Sequence, residues 1–238
     1  GENMIEPGKK WTPPAGWPVM TRDQVKAALC APGMPFEMET VEIEGVPTRV
    51  WKNALPNLAV LAAHANASFG DREFVVYEDE RVTYGAWYRA VATLAHALQE
   101  RGVKKGDRVA LAMRNLPEWP VAFFAAAVTG AIVVPLNAWW TGEELAFGLA
   151  DSGAAVLICD AERWDRISPY KAEMPALAHV MVTRAGAAAM AEPAITLESI
   201  IGSPKSYADL ADLSLPEVAI APDDAATIFY TRDRKSVV

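Results

Sequence analysis

Between Thr83 and Asp160, segments with helical period alternate with short apolar runs of strand length. Thr83 caps a helical segment that Gly102 ends, and the run DRVALAM follows it. The helical segment LPEWPVAFFAAAVTG precedes the run AIVVPL, and the capping box Thr141-Gly-Glu-Glu144 opens a third helix before AAVLICD. Near-continuous apolar strands are typical of sheets that are covered on both faces. The pattern therefore predicts an α/β fold, with a parallel βαβ sheet between two layers of helices.

Further elements are predicted on both sides of this core. A helix over Leu58–Gly70 precedes EFVVYEDERVTY, which reads as a hairpin around the polar Glu78-Asp79-Glu80. The remaining predictions are a strand in AHVMVT (178–183), an exposed loop in RAGAAAMAEPA (184–194), a short helix over 197–201 and a strand in ATIFYT (226–231).

The first 53 residues differ in character from the rest of the chain. They are rich in proline and tryptophan, and their single helical candidate is Thr21–Leu29, which Thr21 caps. We expect residues 1–53 to form an irregular arm that packs on something larger. The α/β domain then occupies residues 54–231.

Composition restricts the possible partners. The chain has 238 residues, of which 52% are hydrophobic, so it can bury a large core. Its net charge of −8 and its scattered basic residues disfavour nucleic acid. Cys30 and Cys159 are far apart, which argues against a zinc site and fits a cytoplasmic protein. Proline and glycine interrupt the uncharged stretch 119–142, so a buried helix and strand explain it better than a membrane span.

Ligands of parallel sheets bind at the carboxyl ends of the strands. This rule directs attention to Arg114-Asn115, to residues 137–140, to Asp160 and to Thr231. In PLNAWWTGEEL two adjacent tryptophans cannot both point into one core. At least one of them should line a groove, a packing surface or a partner interface.

Motifs that would carry catalysis are scarce. The sequence has no GxSxG elbow, no HExxH pair and no complete GxxxxGK[ST] phosphate loop, and we predict no metal site and no catalytic residue. Arg163 and Arg166 follow a predicted strand end. They could reach an anionic ligand from there, or they could be ordinary surface arginines.

Five short motifs follow one another along the chain: RGVKKGDRV, RNLPEW, GAIVVPLN, TGEEL and DSGAAVLICD. Their series resembles the amino-terminal part of acyl-CoA synthetases in the adenylate-forming superfamily, densely over Phe74–Asp160 and again over Asp223–Thr231. The resemblance implies the first subdomain of the adenylate-forming fold, with an incomplete AMP-binding domain over residues 54–231. It also implies a parent carboxylate–CoA ligase that uses ATP and Mg²⁺ to convert a fatty acid into acyl-AMP and then transfers the acyl group to coenzyme A.

The nucleotide site is implied only at its beginning. In that superfamily the segment that leads into the phosphate loop is similar to DDxAxIxYTSGTTG. Asp223–Thr231 matches this motif from its first aspartate to the threonine of YT. Tyr230 and Thr231 therefore carry over as the start of the nucleotide-binding loop. Arg232 and Asp233 stand where serine and glycine are expected, and their side chains would obstruct a phosphate cradle. We therefore expect the chain itself to be inactive.

The acceptor side is implied more loosely. By similarity to the acetate-activating branch, Asn137, Trp139 and Arg163 lie on the side where coenzyme A approaches. A carrier-protein-loading adenylation domain and a luciferase-like enzyme remain alternatives within the superfamily. A non-enzymatic scaffold that binds a partner protein is an alternative from another class, and it would be monodisperse, whereas a truncated subdomain would expose an apolar face and aggregate.

The last seven residues, RDRKSVV, follow the predicted strand without a turn residue. Three basic residues beside one aspartate make a poor electrostatic anchor. The hexapeptide DRKSVV also back-translates into the start of a common sequencing adapter. We therefore expect residues 232–238 to be a non-native tail.

Overall fold

The computed structural model describes residues 15–16, 19–186, 190 and 192–231. The chain divides into two compact units, residues 1–55 and 56–238. The proposed non-native tail lies outside the described residues, as do residues 187–189 and 191 of the predicted loop.

The first unit is more regular than an arm. Helix α1 (Arg22–Leu29) begins at Thr21 as predicted, with a complete capping box between Thr21 and Gln24. Strands β1 (Met38–Ile43) and β2 (Val46–Trp51) form an antiparallel hairpin that the sequence did not indicate. Its two turn residues, Glu44 and Gly45, both have positive φ, which is the geometry of a tight hairpin turn.

The second unit is built on a five-stranded parallel sheet with the order β6-β5-β7-β8-β9. Val109 pairs with Val133 on one side and with Val156 on the other, so β5 lies between β6 and β7. The predicted parallel sheet is therefore confirmed. Its strands are β5 (Arg108–Ala112), β6 (Ile132–Pro135), β7 (Val156–Asp160), β8 (His179–Thr183) and β9 (Ala194–Thr196).

Helices cover both faces of this sheet. On β5, Val109 and Leu111 pack against the helices of one face, while Ala110 and Ala112 pack against those of the other. Among the described residues, no helix has both the length and the apolar character needed to cross a bilayer. The first face carries α2 (Leu58–Phe69), α3 (Tyr84–Glu100), α4 (Glu118–Val128) and α7 (Glu198–Ile201), and the second carries α5 (Gly142–Ser152) and α6 (Ala161–Ile167).

The smaller elements agree less completely with the predictions. The hairpin of β3 (Glu73–Tyr77) and β4 (Glu80–Thr83) forms as predicted. Helix α6 and two 3₁₀ helices, Ser168–Glu173 and Pro204–Asp209, are additional. Strand β9 begins at Ala194, the last residue of the predicted loop.

The last predicted strand, over 226–231, is reduced to one parallel bridge between Thr227 and Val133. The N–H of Val133 donates to Ala226 O (2.9 Å), and the N–H of Ile228 donates to Val133 O (3.0 Å). Residue 135 would donate the next hydrogen bond of a parallel ladder, but it is proline and has no N–H. The prediction of a strand is therefore wrong: the described pairing ends at Ile228, and Pro135 removes the next hydrogen-bond donor of the ladder.

Candidate functional site

An open cleft of about 1030 Å³ lies at the carboxyl edge of the sheet. Its lining comes from the segments that follow β5, β6 and β7, together with parts of the β3–β4 hairpin and of the segment that follows the sheet. The structure thus brings most of the predicted strand-end residues into one place, as the topology of a parallel sheet requires. The predicted residues among the cleft lining are Arg114, Asn115, Asn137, Trp139, Asp160, Arg163 and Tyr230, whereas Thr231 is exposed and does not line the cleft.

Asp160 connects the ends of two strands beneath the cleft. It is the N-cap of α6, and its Oδ1 accepts the N–H of Arg163 at 2.9 Å. Its Oδ2 accepts the N–H of Arg114, just beyond β5, at 3.0 Å. One buried carboxylate therefore starts a helix and fixes the segment after a neighbouring strand.

Arg163 adds the third strand end to this arrangement. Its Nη1 lies 3.2 Å from Asp160 Oδ2, and its Nε donates to the carbonyl of Ala138, after β6, at 2.9 Å. The residue is only 1% exposed, so it is not a surface arginine, which was one of the two interpretations of the sequence. Its Nη2 is buried and has no hydrogen-bond partner among the described residues, although the side chain contributes to the cleft lining.

The two tryptophans point in different directions, as the sequence required. Trp140 is 8% exposed and packs in the core beside α5. Trp139 is 69% exposed, and the guanidinium carbon of Arg114 lies 4.4 Å from its ring centroid, within the range of a cation–π contact. Asn137 fixes this turn, because its Oδ1 accepts the N–H of Trp139 at 2.9 Å. The cleft therefore has a flat aromatic surface with a cation against it.

Tyr230 lines the cleft and bonds to α5. Its hydroxyl donates to Asp151 Oδ2 at 2.7 Å, and its ring lies edge-on to those of Trp140 and Phe147. Burial, and next the hydrogen bond to the Asp151 carboxylate, raise the pKa of Tyr230 to about 12. The phenol therefore keeps its proton at neutral pH and acts as a donor.

A charged network that the sequence did not indicate borders the cleft at Arg184. Its Nε donates to Glu118 Oε1 at 2.9 Å, and its Nη2 donates to Glu80 Oε2 at 2.8 Å. Burial alone would lower the pKa of Arg184, but its hydrogen bonds with Glu80 and Glu118 outweigh burial and raise it. The guanidinium also lies over the ring of Tyr77, which lines the cleft on the hairpin. Arg184 thereby joins the hairpin, the start of α4 and the end of β8.

We expect Arg184→Met to lower the free energy of unfolding by about 2 kcal/mol, because it leaves the carboxylate of Glu118 buried without its cation. Lys205→Met is the matched control, since the Lys205–Asp79 pair is exposed and should contribute less than about 1 kcal/mol. Urea denaturation of the three proteins compares them. Equal losses in both variants would show that the network is no stronger than a surface ion pair.

Comparison with known proteins identifies the family. Residues 62–231, most of the chain, match the family described as AMP-binding enzyme. The chain belongs to this family. The structure is therefore that of an AMP-binding domain, and its cleft lies within the matched residues.

Curated relatives of this AMP-binding domain are CoA ligases. A long-chain-fatty-acid–CoA ligase of Salmonella typhimurium is 36% identical over 142 residues, which are 59% of this chain and 25% of that protein. A 4-hydroxybutyrate–CoA ligase of Metallosphaera sedula is 35% identical over 118 residues, 49% of this chain and 21% of that protein. A feruloyl-CoA synthase of an Amycolatopsis species is 31% identical over 150 residues, 63% of this chain and 26% of that protein. The chain thus spans about a quarter of the length of these relatives.

Solved structures agree with the fold of this AMP-binding domain. The fatty acyl CoA synthetase of Mycobacterium tuberculosis has a TM-score of 0.60 at 27% identity, over 74% of this chain and 32% of that one. The inhibitor-bound amino-terminal domain of FACL13 from the same organism has a TM-score of 0.63 at 26% identity, over 77% of this chain and 43% of that one. The predicted first subdomain of the adenylate-forming fold is therefore confirmed.

Sequence reasoning missed two features of the AMP-binding domain's cleft. The signal for the Asp160–Arg163 pair is the Asp-Ala-Glu-Arg spacing directly after a buried strand, which places an N-cap and a cation one turn apart. The Arg184 network gives no local signal, because its partners at positions 80 and 118 come from distant parts of the chain.

Proposed function

We propose that this domain belongs to a longer protein that is an AMP-forming carboxylate–CoA ligase. The observation that supports this most strongly is the cleft at the strand ends of an AMP-binding domain. The relatives are named for joining a fatty acid, 4-hydroxybutyrate or ferulate to coenzyme A, so a carboxylic acid is the substrate class that they share. We propose a cytoplasmic location, in keeping with the two distant cysteines.

The reaction would proceed in two steps that share this cleft. A carboxylate oxygen of the acid attacks the α-phosphorus of ATP, the bond to pyrophosphate breaks, and acyl-AMP forms. The thiol sulfur of coenzyme A then attacks the acyl carbon, loses its proton, and displaces AMP. A Mg²⁺ ion bound with ATP would offset the negative charge of the phosphates.

Each part of the cleft has a proposed role in these steps. Tyr230, on one side of the cleft, and Thr231, which is outside the cleft lining, begin the nucleotide-binding loop. Asn137, Trp139 and Arg163 form the coenzyme A side, where the exposed ring of Trp139 offers a stacking surface for a planar group. Arg163 would act from beneath the cleft by fixing the segment after β6, because its guanidinium is buried against Asp160 and its Nε donates to the Ala138 carbonyl.

The 238-residue chain itself is expected to bind no ATP with micromolar affinity and to form no acyl-AMP. Charged residues follow Thr231 where glycine and serine would have to surround the phosphates with backbone N–H groups. Calorimetric titration with Mg-ATP and a labelled-ATP adenylation assay measure the two properties. The Salmonella typhimurium ligase, assayed in parallel, controls for the assay conditions. Acyl-AMP formation by the chain would contradict the expectation.

The proposed activity itself is tested on a version of the domain that continues through a complete phosphate loop and the rest of the enzyme. Fatty acids, 4-hydroxybutyrate and ferulate are offered together with Mg-ATP, and coenzyme A or a carrier protein serves as the acceptor. We expect a CoA thioester and AMP by mass spectrometry. Adenylate transfer to a carrier protein alone would favour the carrier-loading alternative, and no adenylate with any acid would overturn the ligase.

A further inference from the structure

The segment that leaves the sheet toward Thr231 has few backbone anchors. Among the described residues, two hydrogen bonds at Val133 join its backbone to β6, and Pro135 has no N–H with which to extend this ladder. Beyond Ile228, the next hydrogen bond described for the segment is the one from the Tyr230 side chain to Asp151, 79 residues earlier in the chain. Within the part of the chain that the structure describes, the Tyr230 side chain is therefore the last hydrogen-bonded anchor before Thr231.

The surroundings of Tyr230 suit an anchor. Its ring lies 6.5 Å from that of Trp140 and 6.4 Å from that of Phe147, both in edge-on geometry. Asp151 lies in the last turn of α5, where the helix dipole disfavours a negative charge. The phenol proton compensates this carboxylate, so the contact relieves an unfavourable interaction in the helix as well as holding the segment.

We propose that Tyr230 is a positioning residue, whose hydroxyl bond to Asp151 fixes the point at which the chain leaves the sheet toward the nucleotide-binding loop. Its meaning for catalysis rests on the proposed function, in which Tyr230 and Thr231 begin that loop. In this role the Tyr230 side chain acts through the backbone that it holds. The tether couples the loop to α5, the helix that also packs against Trp140 in the core.

Hydrogen exchange of two backbone amides tests the tether in the 238-residue chain without nucleotide. The amides of Val133 and Ile228 make the bridge bonds and exchange when the segment lifts away. We expect Tyr230→Phe and Asp151→Ala each to raise both exchange rates roughly tenfold, as expected for loss of a hydrogen bond to a charged acceptor. Asp151→Asn keeps an acceptor oxygen and should retain most of the protection.

Two comparisons separate the tether from general loosening of the fold. The amide of Leu136, which donates to Leu111 O within the sheet, should keep its exchange rate in every variant. Tyr170→Phe removes a hydroxyl from another tyrosine of the same apolar cluster and should leave Val133 and Ile228 unchanged. A rise at Leu136 equal to that at Ile228 would indicate global destabilisation and overturn the proposal.

The tether also fails if Tyr230→Phe leaves both bridge amides protected, or if Asp151→Asn exposes them as fully as Asp151→Ala does. None of these outcomes depends on ATP, because the exchange is measured on the free chain. Conversely, if the longer protein makes no acyl-AMP, the proposed ligase function is overturned, but the hydrogen-exchange result on the free chain is unaffected. The two failures are therefore distinguishable.

Discussion

Replacing Arg163 by methionine is expected to lower the free energy of unfolding by about 3–5 kcal/mol, the usual loss when a buried ion pair loses one partner. The variant leaves the carboxylate of Asp160 buried without its cation. It also removes the only side-chain hydrogen bond described to the Ala138 carbonyl. Asp160 would then keep only its described bonds from the N–H groups of Arg114 and of residue 163, neither of which reaches the segment after β6.

The neighbouring arginine of α6 provides the matched control. Arg166 is 34% exposed, pairs with the exposed Glu162 and donates one hydrogen bond to the Trp140 carbonyl at 3.3 Å, so Arg166→Met should cost about 1 kcal/mol. The double variant Asp160→Asn/Arg163→Met should lose about 1–3 kcal/mol less than the sum of the single changes, because it leaves no unpaired charge. Urea denaturation of the four variants and the parent chain supplies the comparison. Equal losses for Arg163→Met and Arg166→Met would contradict the assigned role of the buried pair.

The parts of the fold that sequence predicted are those with a local cause. Thr83 and Thr141 each cap a helix through their own side chains, and Gly102, just past the end of α3, has the positive φ that glycine adopts freely. The apolar runs of β5 and β7 are visible because the strands are buried on both faces. Such features depend on residues a few positions apart, so the chain displays them directly.

The parts of the fold that the sequence did not predict depend on distant residues or lack a periodic pattern of apolar residues. The β1–β2 hairpin leaves both of its faces largely exposed, so its residues show no alternation of apolar and polar types. The strand predicted over 226–231 has good β propensity, and a proline on the facing strand stops its ladder. The cleft shows the same dependence on distant residues. Topology predicted which residues lie at the strand ends, but the buried position of Arg163 involves a hydrogen bond to the carbonyl of Ala138, 25 positions away.

Two adjacent tryptophans should respond very differently to truncation. Trp140→Ala is expected to lower the free energy of unfolding by about 3–5 kcal/mol, because it opens a cavity in the core beside α5. The site cannot easily collapse, since Gly148 on α5 already approaches both Leu136 and the Trp140 ring. Trp139→Ala should change the same quantity by less than about 1 kcal/mol, because its ring is mostly in solvent and its contact with Arg114 is an exposed cation–π pair.

The pair is its own control, because both variants remove the same side chain from consecutive positions. Thermal and urea unfolding measure the stability difference. The emission that each variant loses relative to the parent chain identifies which of the two indoles is exposed to solvent. If Trp139→Ala were as destabilising as Trp140→Ala, Trp139 would be part of the core and unavailable to a ligand. The expected asymmetry leaves Trp139 free to stack on a planar group at no cost in stability, which is the property that the proposed coenzyme A side of the cleft requires.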